Sequence, residues 1–260
     1  MNSFKAYLLK EFKEGIRSYK FLIIGVAIII FAILDPIMLK LLPRILASQS
    51  NIALPLDEFI KVSQGAALQN YLKDINQIIN IVIIFSLMGI LSDEAKEKML
   101  VFPYSKGASK AGIVLGKFTN YAIAISVFLT FGFMINYYYA GVLFPDSFIN
   151  FRVVLVVVGL SSIYFIFNIS LIILLSSVFK KGIWAGMSSI GIIFLLPLLG
   201  KILPIKRYLP SYLIDQCNKI LALNNITFDY NVLTTILGIT IYVIILNVTS
   251  IWVMNGKEIA

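Results

Sequence analysis

The sequence has 260 residues, of which 59% are hydrophobic and only 13% charged, and its mean hydropathy is +0.91. Soluble domains carry about 25% charged residues, so this composition excludes a water-soluble protein and predicts an all-α membrane protein. The formal charge of +9 does not indicate a nucleic-acid partner, because membrane proteins concentrate lysine and arginine in their cytoplasmic loops.

Residues 1–20 predict an amphipathic helix at the cytoplasmic membrane interface. Five basic residues alternate with two glutamates in this segment, which is therefore too charged for a signal sequence. Its apolar residues recur every three or four positions, which places them on one face of a helix: Phe4, Leu8, Phe12, Ile16 and Tyr19. A basic amphipathic helix beside a membrane span is expected to contact membrane lipid.

Six apolar segments are long enough to cross about 30 Å of hydrocarbon, which takes about 20 helical residues. We place these transmembrane helices near residues 21–42, 75–92, 119–143, 152–178, 183–203 and 232–254. Between the last two, the mildly amphipathic run from Tyr212 to Leu223 predicts a short additional helix.

The distribution of lysine and arginine predicts that both termini are cytoplasmic. In that orientation, thirteen of the 22 basic residues lie in cytoplasmic segments and nine in outside segments of greater total length. Because cytoplasmic loops carry an excess of these residues, we expect a multi-pass protein of the cell membrane with both ends inside.

Three polar residues within the spans are candidates for lining a transport pathway. Asp35 precedes Pro36 in the first span, where it either takes part in transport or caps a half-helix that Pro36 begins. Tyr164 and Asn168 lie in the fourth span, where they either line the pathway or form interhelical hydrogen bonds.

The longest charged interval between two apolar segments is residues 93–117. It contains five lysines, three acidic residues and an apolar run from Met99 to Phe102. Its composition alone fits a solvated loop near anionic lipid. However, the apolar run needs a surface to bury against, and the mixed charges suit electrostatic docking, which favours a cytoplasmic coupling helix between spans two and three. The candidate docking residues are Glu94, Glu97, Lys98, Leu100, Phe102 and Pro103.

The chain itself is not expected to hydrolyse ATP. Gly107 and Gly112 have the outer spacing of a phosphate-binding loop, but Ile113 stands where the lysine is required. Lys117 is followed by Phe118 rather than by the serine or threonine that would bind magnesium. We therefore expect no cofactor on this chain, no enzymatic activity, and an energy source in another polypeptide or an ion gradient.

Two patches of the sequence resemble the ABC-2 type permease family, the membrane subunits of a class of ATP-binding-cassette exporters. One is residues 10–21, which resemble the interfacial helix and the entry to the first span. The other combines an acidic pair, a short apolar helix, a proline, a Ser-basic pair and a lysine that opens the third span: Asp93–Glu94, Met99–Phe102, Pro103, Ser105–Lys106 and Lys117. The Gly-Thr pair that usually follows the acidic cluster is missing here.

The resemblance implies a single ABC-2 type transmembrane domain over residues 1–260. It also implies two permease subunits, identical or different, that form the pathway between them. Two separate ABC ATPase subunits would bind ATP and magnesium and dock from the cytoplasm. Closure of the ATPase dimer would push the docked helix, tilt the spans and move an unidentified substrate outward.

The residues leave two other functions open. A gradient-driven transporter or channel would usually carry several ionisable groups within its spans, and only Asp35 lies clearly within one. An ATPase-coupled immunity or sensor protein would have the same features as an exporter. An intramembrane enzyme is not expected, because histidine is absent, Cys217 is the single cysteine and no aspartates pair within a span.

Overall fold

The computed structural model describes residues 3–49, 62–96, 107–202, 206–228 and 230–256, and these residues form helices and no β-strand. The helices are α1 (Ser3–Arg17), α2 (Lys20–Gln49), α3 (Gln64–Asp74 continuing to Asn80–Leu87), α4 (Ser92–Lys96), α5 (Lys110–Leu143), α6 (Phe151–Val178), α7 (Gly182–Ile202), α8 (Ser211–Leu223) and α9 (Tyr230–Gly256). A π-helical turn, Ile75–Ile79, joins the two parts of α3, and a short 3₁₀ turn, Lys206–Tyr208, lies between α7 and α8.

Six helical stretches are long and apolar enough to cross a membrane. They are Lys20–Pro43, Gln64–Ala95, Lys110–Leu143, Phe151–Val178, Gly182–Ile202 and Tyr230–Gly256. The prediction of an all-α protein with six transmembrane helices is therefore confirmed, and the short helix expected before the last span is present as α8.

The second and third spans begin earlier than hydropathy indicated, at Gln64 and Lys110 rather than near residues 75 and 119. The first turns of both helices are polar, so they cannot be recognised as parts of a span from hydropathy. Each start is fixed by a serine cap: Ser63 Oγ accepts from the Ala66 amide and Ser109 Oγ from the Gly112 amide, both at 3.1 Å.

The fourth span, α6, lies at the centre of the bundle and is the most enclosed of the six. It packs against α5, α7, α8 and α9, while α2 packs along α5 and α1 lies on the first turns of α5. α7 and α9 have the smallest buried shares, so most of their apolar surface faces outward. Outward apolar faces of this kind suit lipid or another membrane subunit.

The first span, α2, continues through Pro36, so the expectation that Asp35 caps a new half-helix there is wrong. Proline has no N–H for the carbonyl four residues earlier, which here is that of Ala32. Nδ2 of Asn136 in α5 donates to this carbonyl at 3.1 Å. Because a neighbouring helix satisfies the group that Pro36 leaves free, α2 needs no break.

The N-terminal helix α1 turns a different face to the protein from the one its apolar residues mark. Tyr7, Glu11 and Gly15, spaced four apart, are buried against the bundle. Phe12 and Ile16, from the apolar stripe, are exposed. The exposed stripe is available for lipid, and the buried face brings the carboxylate of Glu11 into the protein.

Most of the candidate coupling helix lies outside the described residues. Its first residues form α4, which includes Glu94. The other candidate docking residues fall in the gap between residues 96 and 107: Glu97, Lys98, Leu100, Phe102 and Pro103.

Candidate functional site

Five charged side chains meet where α1, α4 and α5 come together at one end of the bundle. We call these five residues the charge cluster. Its members are Lys10, Glu11 and Glu14 from α1, Glu94 from α4 and Lys117 from α5.

Lys117 is the most deeply buried member, with only 1% of its side chain exposed. Its ammonium group lies 2.7 Å from Oε1 of Glu11 and 2.9 Å from Oε1 of Glu94. A buried charge is tolerated when close partners of opposite sign compensate its lost hydration. Lys117 therefore holds α1 and α4 to the start of the third span.

Lys10 bridges the same carboxylates from the solvent side, with 44% of its side chain exposed. Its ammonium group lies 2.8 Å from Glu94, 2.8 Å from Glu14 and 3.1 Å from Glu11. Burial lowers the pKa of Lys10, but the nearby carboxylates, Glu94 first among them, outweigh this effect and raise the pKa above its ordinary value. Lys10 thus stays charged over the whole physiological pH range.

The three glutamates of the cluster are close enough to share a metal ion, with carboxylate oxygens within 4.8 Å of one another. However, the two lysine ammonium groups already contact those oxygens. The ion-pair arrangement therefore fits these residues better than a metal centre does. Two lysines against three glutamates leave the cluster with one net negative charge, and the buried Oε2 of Glu94 has no donor in the part of the chain that the structure describes.

The short helix α4 is also bonded to the two helices on its other side. Oγ of Ser176 in α6 accepts from the amides of Leu91 and Ser92 at 3.0 and 3.1 Å. Oδ1 of Asp93 accepts from the amide of Gly182, the first residue of α7, at 3.3 Å. Together with the charge cluster, these bonds connect α4 to α1, α5, α6 and α7.

A close helix contact places α1 where its charges can reach α5. A Cβ atom at Gly116 would lie 2.9 Å from Cβ of Tyr7 and 3.3 Å from the backbone nitrogen of Leu8. Glycine at this position thus lets the backbones of the two helices approach, one residue before Lys117. The close approach and the ion pairs occur on the same turn of α5.

Of the predicted docking residues, Glu94 is the one that the structure describes, and it is bonded within the chain rather than presented on the surface. Sequence reasoning missed its partners, Lys10, Glu11 and Lys117. One signal was available: Lys117 is followed at once by an apolar span, so its charge needed a partner.

The two pathway candidates of the fourth span have different environments. Tyr164 lines a cavity of about 450 Å³ between α3, α6, α7 and α8, together with Asn76 and Gln77 from the π-helical turn. Asn168 is fully buried, and its amide contacts Oδ1 of Asn80 at 3.5 Å. The structure therefore joins Asn168 to another span by an amide contact and places Tyr164 at a cavity wall.

The third pathway candidate, Asp35, is buried, and its Oδ2 has no hydrogen-bond donor among the described residues. Asp74 lies inside the second spanning helix because that helix begins at Gln64. The expectation that only Asp35 lies clearly within a span is therefore wrong.

Comparison with known proteins gives two matches that cover most of the chain. The family model described as ABC-2 family transporter protein matches residues 6–252, a range that contains every member of the charge cluster. The uncharacterized transmembrane protein YxlG of Bacillus subtilis (strain 168) is 25% identical over 224 residues, which are 85% of this chain and 86% of that protein.

Proposed function

Because the chain belongs to the ABC-2 transporter family, we propose that it is the permease subunit of an ABC exporter, driven by a separate ATPase. The family is a membrane component of transport and not itself catalytic, and it implies association with an ABC ATPase. ATP and magnesium would then be bound by the partner, and this chain would supply the membrane pathway and the surface on which the partner acts.

The observation that supports this proposal most directly is the set of bonds around α4. This five-residue helix ends at Lys96, and two residues separate it in sequence from the apolar residues 99–102 that we propose as the docking surface. α4 is bonded to α1 and α5 through the charge cluster, to α6 through Ser176 and to α7 through Gly182. A displacement that reaches α4 would therefore be passed to four other helices.

The chemistry of the charge cluster suits the transmission of such a displacement. Its ion pairs are short, between 2.7 and 3.1 Å, and Lys117 and Glu11 are almost completely shielded from solvent. Separating buried partners is costly, so the helices they join tend to move together rather than slide apart. In this mechanism α1 and the start of the third span follow α4 when the ATPase closes.

The pathway itself would be completed by a second permease subunit, identical or related, and by membrane lipid around both. The large uncovered apolar faces of α7 and α9 leave room for such contacts. Asp35, Tyr164 and Asn168 remain the candidate pathway residues of this chain, and the cavity beside Tyr164 is large enough for a small substrate. Export follows from the family resemblance, and the distribution of basic residues favours both termini in the cytoplasm.

The test is co-purification in detergent with the ABC ATPase encoded nearest to this gene. We expect wild-type protein to retain the ATPase and Leu100→Glu/Phe102→Glu to lose at least about tenfold of it, because charges replace the apolar docking surface. The matched control is Phe12→Glu/Ile16→Glu, which changes two exposed apolar residues of α1 and should keep the ATPase.

Two results would contradict parts of the proposal separately. If no ATPase associates with the wild-type protein, the permease function fails, and transport driven by an ion gradient replaces it. If the ATPase associates equally with wild type and Leu100→Glu/Phe102→Glu, the permease function stands and the docking segment is wrong.

A further inference from the structure

The cavity beside Tyr164 is lined by groups of three chemical kinds. Apolar side chains from residues 193–198 of α7 form one wall. Asn76 and Gln77 line the cavity from α3, inside the second spanning helix. Lys201 lines it from the last turn of α7. The cavity thus combines an apolar wall, two amides and an ammonium group.

The π-helical turn of α3 supplies the two amides, and the protein leaves both with unused hydrogen-bonding capacity. Nδ2 of Asn76 donates to the Leu72 carbonyl at 2.7 Å, but its Oδ1 is buried with no donor among the described residues. Gln77 is exposed within a spanning helix and forms no hydrogen bond with any described residue. Single π-helical turns inside α-helices are frequent at functional sites. These amides therefore point to a ligand that forms hydrogen bonds.

The charges that line the cavity are not balanced. Nζ of Lys206 lies 2.7 Å from Oδ2 of Asp215, so these two residues neutralise each other. Lys201 forms no ion pair in the part of the chain that the structure describes. Two lysines against one aspartate leave one net positive charge beside the apolar wall. An apolar ligand with an anionic group complements this arrangement.

We propose that this cavity binds the carboxyl-terminal end of an apolar peptide. The terminal carboxylate pairs with the ammonium group of Lys201. A peptide group bonds with the amide of Gln77, and apolar side chains of the ligand pack on residues 193–198 of α7.

A peptide satisfies these groups better than a fatty acid or a lipid tail does. Each peptide group offers one N–H and one carbonyl oxygen, and the amide of Gln77 likewise both donates and accepts. Oδ1 of Asn76 needs a donor, which a peptide N–H supplies. A fatty acid would pair with Lys201 but would place hydrocarbon against both amides, and polar groups left unpaired in apolar surroundings are costly.

The dimensions of the cavity suit a few peptide residues. From Ile193 to Lys201, α7 rises about 12 Å, at about 1.5 Å per residue. An extended chain covers that distance with about four residues, at about 3.3 Å each. The volume of about 450 Å³ lies within the range of about 300–1,000 Å³ that is usual for ligand sites.

That such a peptide is the exported substrate rests on the proposed permease function. Its binding does not, because the cavity lies within one subunit and binding needs neither ATP nor an ATPase. The test therefore measures binding alone, so failure of this site and failure of the permease function are separate results.

The test is equilibrium binding of radiolabelled N-acetyl trileucine to the purified full-length protein in lipid nanodiscs. The peptide is used as the free acid and as the carboxyl-terminal amide. We expect wild type to bind the acid at least about tenfold more tightly than the amide, because only the acid pairs with Lys201. Lys201→Gln should weaken binding of the acid about tenfold and leave binding of the amide unchanged. Lys219→Gln removes an exposed lysine of α8 that does not line the cavity, and should change neither.

Gln77→Leu tests the bond to the peptide group, and dodecanoic acid is the matched ligand without such a group. We expect Gln77→Leu to weaken binding of the peptide acid about three- to tenfold and not to weaken binding of dodecanoic acid. Gln77 and Lys201 are both exposed, so both variants should fold with nearly the wild-type Tm.

The comparison of acid and amide on wild type does not depend on any variant. Equal binding of the two, or no binding of either, would overturn the proposal. So would equal effects of Lys201→Gln and Lys219→Gln on the acid. Tighter binding of dodecanoic acid than of the peptide acid would also overturn it, because the occupant would then be a lipid-like amphiphile.

Discussion

A lysine ammonium group inside a helical bundle loses its hydration, and the effective cost after relaxation is several kcal/mol. Two carboxylates offset this cost for Lys117: its Nζ lies 2.7 Å from Oε1 of Glu11 and 2.9 Å from Oε1 of Glu94. The three residues come from three helices, so each bond that compensates the buried charge also fixes the position of a helix. Removing the lysine alone would leave two carboxylates facing each other in the interior.

We therefore expect Lys117→Met to be among the most destabilising single substitutions in this end of the bundle. Methionine is unbranched and only one atom shorter than lysine but removes the positive charge, and breaking a buried ion pair in this way costs about 3–5 kcal/mol. The measurement is thermal unfolding in detergent followed with a thiol-reactive dye. Cys217 suits this assay because it is buried, and burial raises the pKa of its thiol to about 12, so it reacts only when the protein unfolds.

Two further variants separate charge from packing. Lys10→Met removes the same charge from the same carboxylates at a side chain that is 44% exposed, and should cost about 1 kcal/mol or less. Lys117→Met combined with Glu11→Gln and Glu94→Gln leaves no unpaired buried charge and should recover most of the lost stability. Equal losses in Lys117→Met and Lys10→Met would show that burial of Lys117 is not what makes it important.

At the scale of single elements, α1 is joined to α5 by close backbone packing as well as by ion pairs. The approach depends on Gly116, where any side chain would meet Tyr7 and the backbone of Leu8. Helices that come this close usually do so over a small residue. The charge cluster lies beside this contact, so its distances depend on it.

Gly116→Ala is therefore expected to push α1 away from α5. The added Cβ would stand 2.9 Å from Cβ of Tyr7, which forces the helices to shift, and overpacking of this kind costs about 1–3 kcal/mol. The measurement is the same thermal unfolding assay. Gly159→Ala in α6 is the matched control, because no described atom lies within 4 Å of a Cβ there, and it should be neutral or slightly stabilising. Equal effects of the two substitutions would mean that α1 does not rest on Gly116.

The sequence predicted the helices better than it predicted the contacts between them. The six spans were predictable because a run of about 20 apolar residues is typical of a helix that crosses a membrane. Hydropathy did not reveal that α3 and α5 begin with capped polar turns. The predicted second span therefore began near residue 75 and left out Asp74, which lies inside the observed helix. Nor did the sequence indicate that Asn136 would satisfy the carbonyl freed by Pro36, since that bond joins residues 104 positions apart. The charge cluster was missed for the same reason, because its partners come from three separate helices.

At the scale of the whole molecule, six spans require both chain ends to lie on the same side of the membrane. The charge cluster, the α6–α7 turn and the end of α9 then share one side, while the α5–α6 turn and α8 share the other. Lys110 at the start of α5 donates to the carbonyl of Asn255 near the end of α9, at 3.2 Å, which brings the ends of the third and sixth spans together. The excess of basic residues predicts that this side is cytoplasmic.

We expect single cysteines to report that orientation in a Cys217→Ala background, which contains no other cysteine. Cysteines at the exposed positions Asp146 and Lys219 should react with a membrane-impermeant maleimide added to intact cells. Those at the exposed positions Lys13 and Lys181 should react only after the membrane is opened. The inverse pattern would place the docking segment outside, beyond reach of any cytoplasmic ATPase, and would remove the permease mechanism. Labelling of all four positions from one side would instead contradict the six-span arrangement, because Lys13 and Asp146 are separated by three spans.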